Sequence, residues 1–145
     1  MKATLACLAL LLTGPAALAQ STPPAVLPKD GYTLANCVNT FDATKTEKTK
    51  AGFQYWFADA NFADGKTVKL SVVGVGLATH PPHRHEEDEF FFVLEGRAEF
   101  YLDGQRQVVP AMTSLYAPSW HEHGIRNAGT TELKYLVLKR YPKKP

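Results

Sequence analysis

Residues 89–94 read Glu-Phe-Phe-Phe-Val-Leu, and they restrict the folds open to this chain more than any other segment. So short an apolar run, rich in aromatic and branched residues, reads as a strand. Strand side chains alternate between two faces, and here both parities are apolar. Such a strand must be covered on both sides. The rest of the chain repeats the same short grammar. Runs of β-branched and aromatic residues at 53–57, 68–77, 89–94, 98–102, 105–109, 114–117, 124–126 and 133–139 predict strands, separated by turn signals. Asp103-Gly104, between two of them, predicts a tight hairpin because both residues tolerate positive φ. Residues 44–52 read as a polar loop. No segment holds a helical period over helix length and no internal repeat is present, so the expected class is all-β, a sandwich or barrel.

The amino terminus reads as a transport signal. Lys2, an apolar stretch at 5–12 and Ala17-Leu18-Ala19 have the order of a cleavable signal peptide. The expected organisation is a signal peptide at 1–19, a Pro- and Ser-rich leader at 20–31, one β-domain at 32–141 and a basic tail at 142–145. A periplasmic or secreted location after cleavage near Ala19 follows, with no membrane insertion, because the apolar stretch is too short to span. Sixteen basic residues stand against fourteen acidic ones, and loss of Lys2 leaves a net charge of about +1. That balance gives no electrostatic case for nucleic acid. Cleavage also removes Cys7 and leaves Cys37 as the one cysteine, so no disulfide can form within the mature chain. Its stability must come from the core or from association.

Directly before the Phe run lies His80-Pro-Pro-His83-Arg-His85-Glu-Glu-Asp, which holds three of the five histidines. His83 and His85 are two apart and project to one side. Glu89 has the same parity, but four residues of straight strand span about 13 Å, whereas ligands must converge to about 2 Å from an ion. The chain must therefore bend if Glu89 shares the site, and Glu86-Glu87-Asp88 suits an exposed, solvated turn. Pro81-Pro82 lacks two N–H donors, which suits a sheet edge. If Glu89 points inward, Phe91 and Val93 line a cavity, while Phe90, Phe92 and Leu94 face a second sheet or a partner subunit. A further ligand must come from elsewhere in the chain, and His121 and His123 offer a second pair two apart.

The two segments resemble the paired motifs of the cupin superfamily. His83-Arg84-His85, Glu89 and Gly96 are spaced as in the first motif; Pro118, His123 and Asn127 are spaced as in the second. The resemblance runs from about Lys69 to Lys139. The chain departs from the pattern at Gly76, one residue further from His83 than usual, and at Met112 and Trp120, where glycine is common. The resemblance implies a jelly-roll β-barrel (a double-stranded β-helix) in which His83, His85, Glu89 and His123 hold one divalent ion: Fe, Mn, Ni, Co or Zn. Imidazoles with one carboxylate and no thiolate fit that ion class. His121, Tyr101, Phe91 and Trp120 are the candidates for lining the cavity or supporting the ligands. The catalytic residues stay unassigned. The expected partners are a small-molecule ligand or substrate and a second copy of the chain. The function classes left open are a metal-dependent dioxygenase or isomerase-lyase, a carbohydrate-binding module, and a structural cupin.

Overall fold

The computed structural model describes residues 31–63 and 65–141; the expected signal peptide, nearly all of the leader and the basic tail lie outside the described residues. The strands are β1 (Glu47–Thr49), β2 (Gly52–Ala63), β3 (Lys66–Val73), β4 (Glu89–Glu95), β5 (Arg97–Leu102), β6 (Gln105–Pro110), β7 (Thr113–Ala117), β8 (His123–Asn127) and β9 (Leu133–Arg140). A helical turn, α1 (Leu34–Cys37), and a 3-10 turn (Ala43–Lys45) precede them. The chain is an all-β jelly-roll barrel. Among the described residues, no helix is long and apolar enough to cross a membrane.

Each of the eight expected runs forms a strand; the limits of two need correction and one further strand appears. β2 runs on to Ala63. β3 stops at Val73 rather than Leu77, because Gly74 begins a turn in which the Leu77 N–H donates to the Gly74 carbonyl at 3.1 Å. The polar stretch 44–52 contains β1, folded back on β2. Asp103 and Gly104 take φ values of 44° and 85°, and Leu102 pairs with Gln105 across them. These are the torsions of the two-residue hairpin that the sequence predicted.

The strands form a six-stranded sheet, in the order β1-β2-β3-β9-β4-β7, and a three-stranded sheet, β6-β5-β8. The segment before β4 adds to the edge of β8 through bridges at Ala78–Arg126 and His83–His123. Four residues between the bridges on one side, Thr79–Pro82, face two on the other, Gly124 and Ile125, so the segment bulges. The prolines sit where a missing N–H costs no ladder hydrogen bond.

The main core lies between the sheets. Val73, Phe91, Val93, Ala98, Leu115, Ile125, Leu133, Tyr135 and Val137 are buried there, with Phe100 packed against them. The alternation predicted for β4 decides which of its residues enter. Glu89, Phe91 and Val93 point inward and are buried. Phe90, Phe92 and Leu94 point away from the barrel, not toward the second sheet. Leu94 is covered within the chain, in a second cluster built on Tyr55, Leu70 and Val72. Phe41 closes over that cluster, with its ring 5.0 Å from Tyr55, and the Tyr55 hydroxyl donates to the Thr40 carbonyl at 3.0 Å. Phe90 is 48% exposed and pairs across the sheet with Tyr116 and Leu138, both also exposed.

Asn127 joins the two sheets. Its side chain is fully buried; Nδ2 donates to the Val73 and Thr131 carbonyls at 2.9 and 2.7 Å, and Oδ1 accepts from the Gly129 N–H at 2.8 Å. Truncation removes all three bonds and strands the Val73 carbonyl, whose bond is buried. Asn127→Ala should therefore destabilise the domain by about 3 kcal/mol. Urea unfolding should show this as a lower midpoint with an unchanged slope.

Candidate metal centre

The bend between His85 and Glu89 is built by contacts from the other motif. The Trp120 N–H donates to the His85 carbonyl at 2.8 Å, Ser119 Oγ donates to the Glu86 carbonyl, and Tyr116 OH reaches Asp88 Oδ2 at 3.3 Å. The turn is thereby clamped, and Glu89 comes back beside the histidines. On the other side His83 and His123 exchange backbone hydrogen bonds of 3.0 Å each way. Directly paired residues place their side chains on one face. The ligating atoms of His83, His85 and His123 lie within 4.8 Å of one another.

All three rings are oriented by the same device. Nδ1 of His83 lies 3.1 Å from the Pro81 carbonyl, that of His85 lies 2.7 Å from the Glu87 carbonyl, and that of His123 lies 2.8 Å from the His121 carbonyl. A carbonyl oxygen only accepts, so each Nδ1 carries the proton and each Nε2 presents a lone pair to the cluster. His123 Nε2 is buried with no hydrogen-bond partner among the described residues. A buried polar atom in that state is costly unless something else occupies its lone pair. A divalent ion fits these donors.

Glu89 is the carboxylate of the group. Its oxygens lie 3.4 Å from His85 Nε2 and 3.6 Å from His123 Nε2, the latter too long for a hydrogen bond. Lys139 Nζ sits 3.0 Å from Glu89 Oε1, 3.1 Å from His85 Nε2 and 3.4 Å from Glu87 Oε2. Burial raises the pKa of Glu89, but His123, Lys139 and His85 outweigh it and bring the carboxyl down to about 2. Burial, then the Lys139 charge, lowers His85. The Glu89 carboxylate opposite raises His123 against the effect of burial. Glu87, expected to be a solvated turn residue, is instead only 16% exposed and turned toward Lys139.

The remaining candidates scatter. Phe91 lines the histidine cavity. Tyr101 does not: Ala98 and Phe100 take the inward parity of β5, so Tyr101 faces outward with Glu99. Its hydroxyl bonds Glu122 at 2.5 Å, and Arg106 lies over its ring at 4.9 Å. His121 is exposed and paired with Asp103 at 2.5 Å. Trp120 contributes its backbone, and its side chain is exposed.

Sequence reasoning missed several residues of the cavity wall. Lys69, Ser71, Tyr135 and Lys139 line it, with Thr79 and His80 at one side. Thr79 Oγ1 lies 3.3 Å from the Tyr135 hydroxyl, and the His80 ring lies 5.7 Å from that of His83. The available signal was parity. Lys139 continues the inward series Leu133, Tyr135, Val137, and Lys69 continues Val73, Ser71.

Comparison with known proteins agrees with this geometry. The model of the cupin domain matches residues 69–139. An uncharacterized protein of Methanocaldococcus jannaschii is 32% identical over 72 residues, covering 50% of this chain and 57% of that protein's length. Among solved structures, the predicted oxalate decarboxylase of Thermotoga maritima superposes with a TM-score of 0.60 at 19% identity, over 71% of this chain and 97% of its own. The polyketide cyclase RemF of Streptomyces resistomycificus gives 0.62 at 20% identity, over 74% and 82%. A Cupin 2 conserved barrel domain protein of Salinispora arenicola gives 0.60 at 19% identity, over 72% and 87%. With both motifs in register around one cluster of imidazoles, the chain belongs to the cupin superfamily.

Proposed function

We propose that this protein is an exported metal-dependent enzyme that acts on a small molecule in the barrel cavity. His83, His85, Glu89 and His123 would hold a divalent ion. The observation that carries this reading is the partnerless, buried Nε2 of His123, facing two further imidazoles whose Nδ1 atoms are likewise tied to the backbone. A bound ion would supply Lewis-acid polarisation of a carbonyl or hydroxyl oxygen. The chain's own residues would orient that oxygen: Ser71, Thr79 and Tyr135 bring hydroxyls to the wall, and burial raises the Tyr135 pKa, so its phenol stays a donor. This polar lining favours isomerase or lyase chemistry over oxygenation, which an apolar cavity suits better. Two of the solved neighbours carry the names of different chemistries, a decarboxylase and a cyclase, so the fold itself selects no reaction.

Three tests follow. Protein recovered from the native cell without chelators should begin at Gln20 and hold about one divalent ion per chain; an intact Met1, or protein without metal, contradicts the reading. Within the second motif, His123→Ala should lower Co(II) or Zn(II) affinity about tenfold or more, whereas His121→Ala should leave it nearly unchanged. Metal content after dialysis of the two variants at equal pH decides the matter. Finally, Phe90, Tyr116 and Leu138 form an uncharged exposed row that a second copy of the chain would cover about a two-fold axis. Light scattering at micromolar concentration should give a homodimer, and Phe90→Glu should give a monomer.

A further inference from the structure

Two lysines reach into the histidine cavity, and only one of them is accounted for. Lys139 is bound by Glu89 and Glu87. Lys69 is half-buried on the neighbouring strand and makes no ion pair among the described residues; its Nζ lies over the Trp56 ring at 5.1 Å. Burial lowers its pKa, partly offset by the Glu89 charge. An ammonium taken out of water without a carboxylate is unfavourable unless a ligand supplies one.

The surroundings agree on the sign of that ligand. β3 and β9 are adjacent and in register, Lys69 opposite Val137 and Thr67 opposite Lys139, so both ammonium groups rise from one wall. Next to them stand the hydroxyls of Ser71 and Tyr135. Among the described residues, Glu89 is the one carboxylate in the cavity lining, and it already faces His85, His123 and Lys139, which Glu87 also meets. With Lys139 matched by Glu89 and Glu87, the wall presents hydrogen-bond donors and one ammonium, Lys69, that has no carboxylate of its own. The cavity is small, about 140 Å³, which suits a small molecule rather than a polymer.

We propose that Lys69, with Lys139 beside it, forms an anion subsite on the cavity wall, and that the natural ligand is a small carboxylate. The ammonium groups would take the carboxylate by charge-assisted hydrogen bonds, leaving the rest of the molecule toward the histidines. This assignment deepens the enzymatic reading, but its charge argument stands on the lysines alone.

The test is calorimetric titration of the mature chain, both metal-replete and chelator-treated, with malonate, its neutral analogue malonamide, and inorganic phosphate. Malonate should bind about tenfold or more tightly than malonamide. Lys69→Met should lose about tenfold in malonate affinity while keeping the metal content and circular dichroism of the parent, and Lys69→Arg should restore most of the loss. Equal binding of malonate and malonamide overturns the proposal. So does an unaltered Lys69→Met, or binding of phosphate in preference to malonate. Metal content measured on the same samples separates the two readings. Lysine-dependent malonate binding by a chain that takes up no metal upholds the subsite and refutes only the metal centre. A chain that takes up metal without discriminating charge refutes only the subsite.

Discussion

The reciprocal backbone hydrogen bonds between His83 and His123 are the constraint on which the site depends. They join the segment before β4 to the edge of β8, elements some forty positions apart, and bring the two imidazoles to one face with ring centroids 5.0 Å apart. Everything on either side adjusts to that bridge. Upstream, the chain must bulge over Pro81-Pro82 to reach it from Ala78. Downstream, it must turn within Glu86-Glu87-Asp88 to bring Glu89 back. Gly124, next to the bridge, lies against Pro82; a Cβ there would sit 3.4 Å from the proline Cα. The histidines are thus held by backbone hydrogen bonds rather than by side-chain packing alone.

A buried cluster of charge needs internal compensation, and here Lys139 supplies it. Replacing a buried ion pair with apolar groups often leaves stability unchanged, while removing one partner is costly. Glu89 and Lys139 are thus more readily explained by the site than by folding. The surface network of Glu99 with Arg106 and Arg126, at 2.8 Å from each, is a contrasting case. It faces water on the outer side of the three-stranded sheet, where such pairs add little to stability. Charge placed inside the barrel is costly, and its retention there points to chemistry.

The sequence revealed the strands and their faces better than their ends. Alternation placed Phe91 and Val93 in the core and Phe90 outside it, because period two leaves only one choice once Glu89 is taken as inward. It gave the end of β3 less well, since Val75 and Leu77 continue the apolar pattern through a turn that Gly74 and Gly76 impose. β1 was hidden by its polar composition; it is an edge strand with little to bury. In the site, spacing identified the histidine motifs, but the lysines were invisible to motif reading. Lysine side chains on strands are ordinarily solvated, and only the parity of β9 and β3 gave them away. Parity also argued against Tyr101, whose neighbours Ala98 and Phe100 were the better core residues.

Met112 and Trp120, the two departures from the family pattern, show what a motif glycine is for. Both adopt left-handed backbone conformations, with φ values of 61° and 64°. For a residue with a Cβ this conformation costs about 1–2 kcal/mol. Neither side chain recovers that cost by burial, since both are exposed. The compensation is in the backbone: the Met112 N–H donates to Val93 and the Trp120 N–H to His85, each at 2.8 Å. The first bond ties the turn between β6 and β7 to β4. The second clamps the turn that returns Glu89 to the histidines. The loop geometry is therefore kept without the glycine that usually permits it, and the strain at Trp120 is borne by a hydrogen bond that holds His85 and Glu89 together.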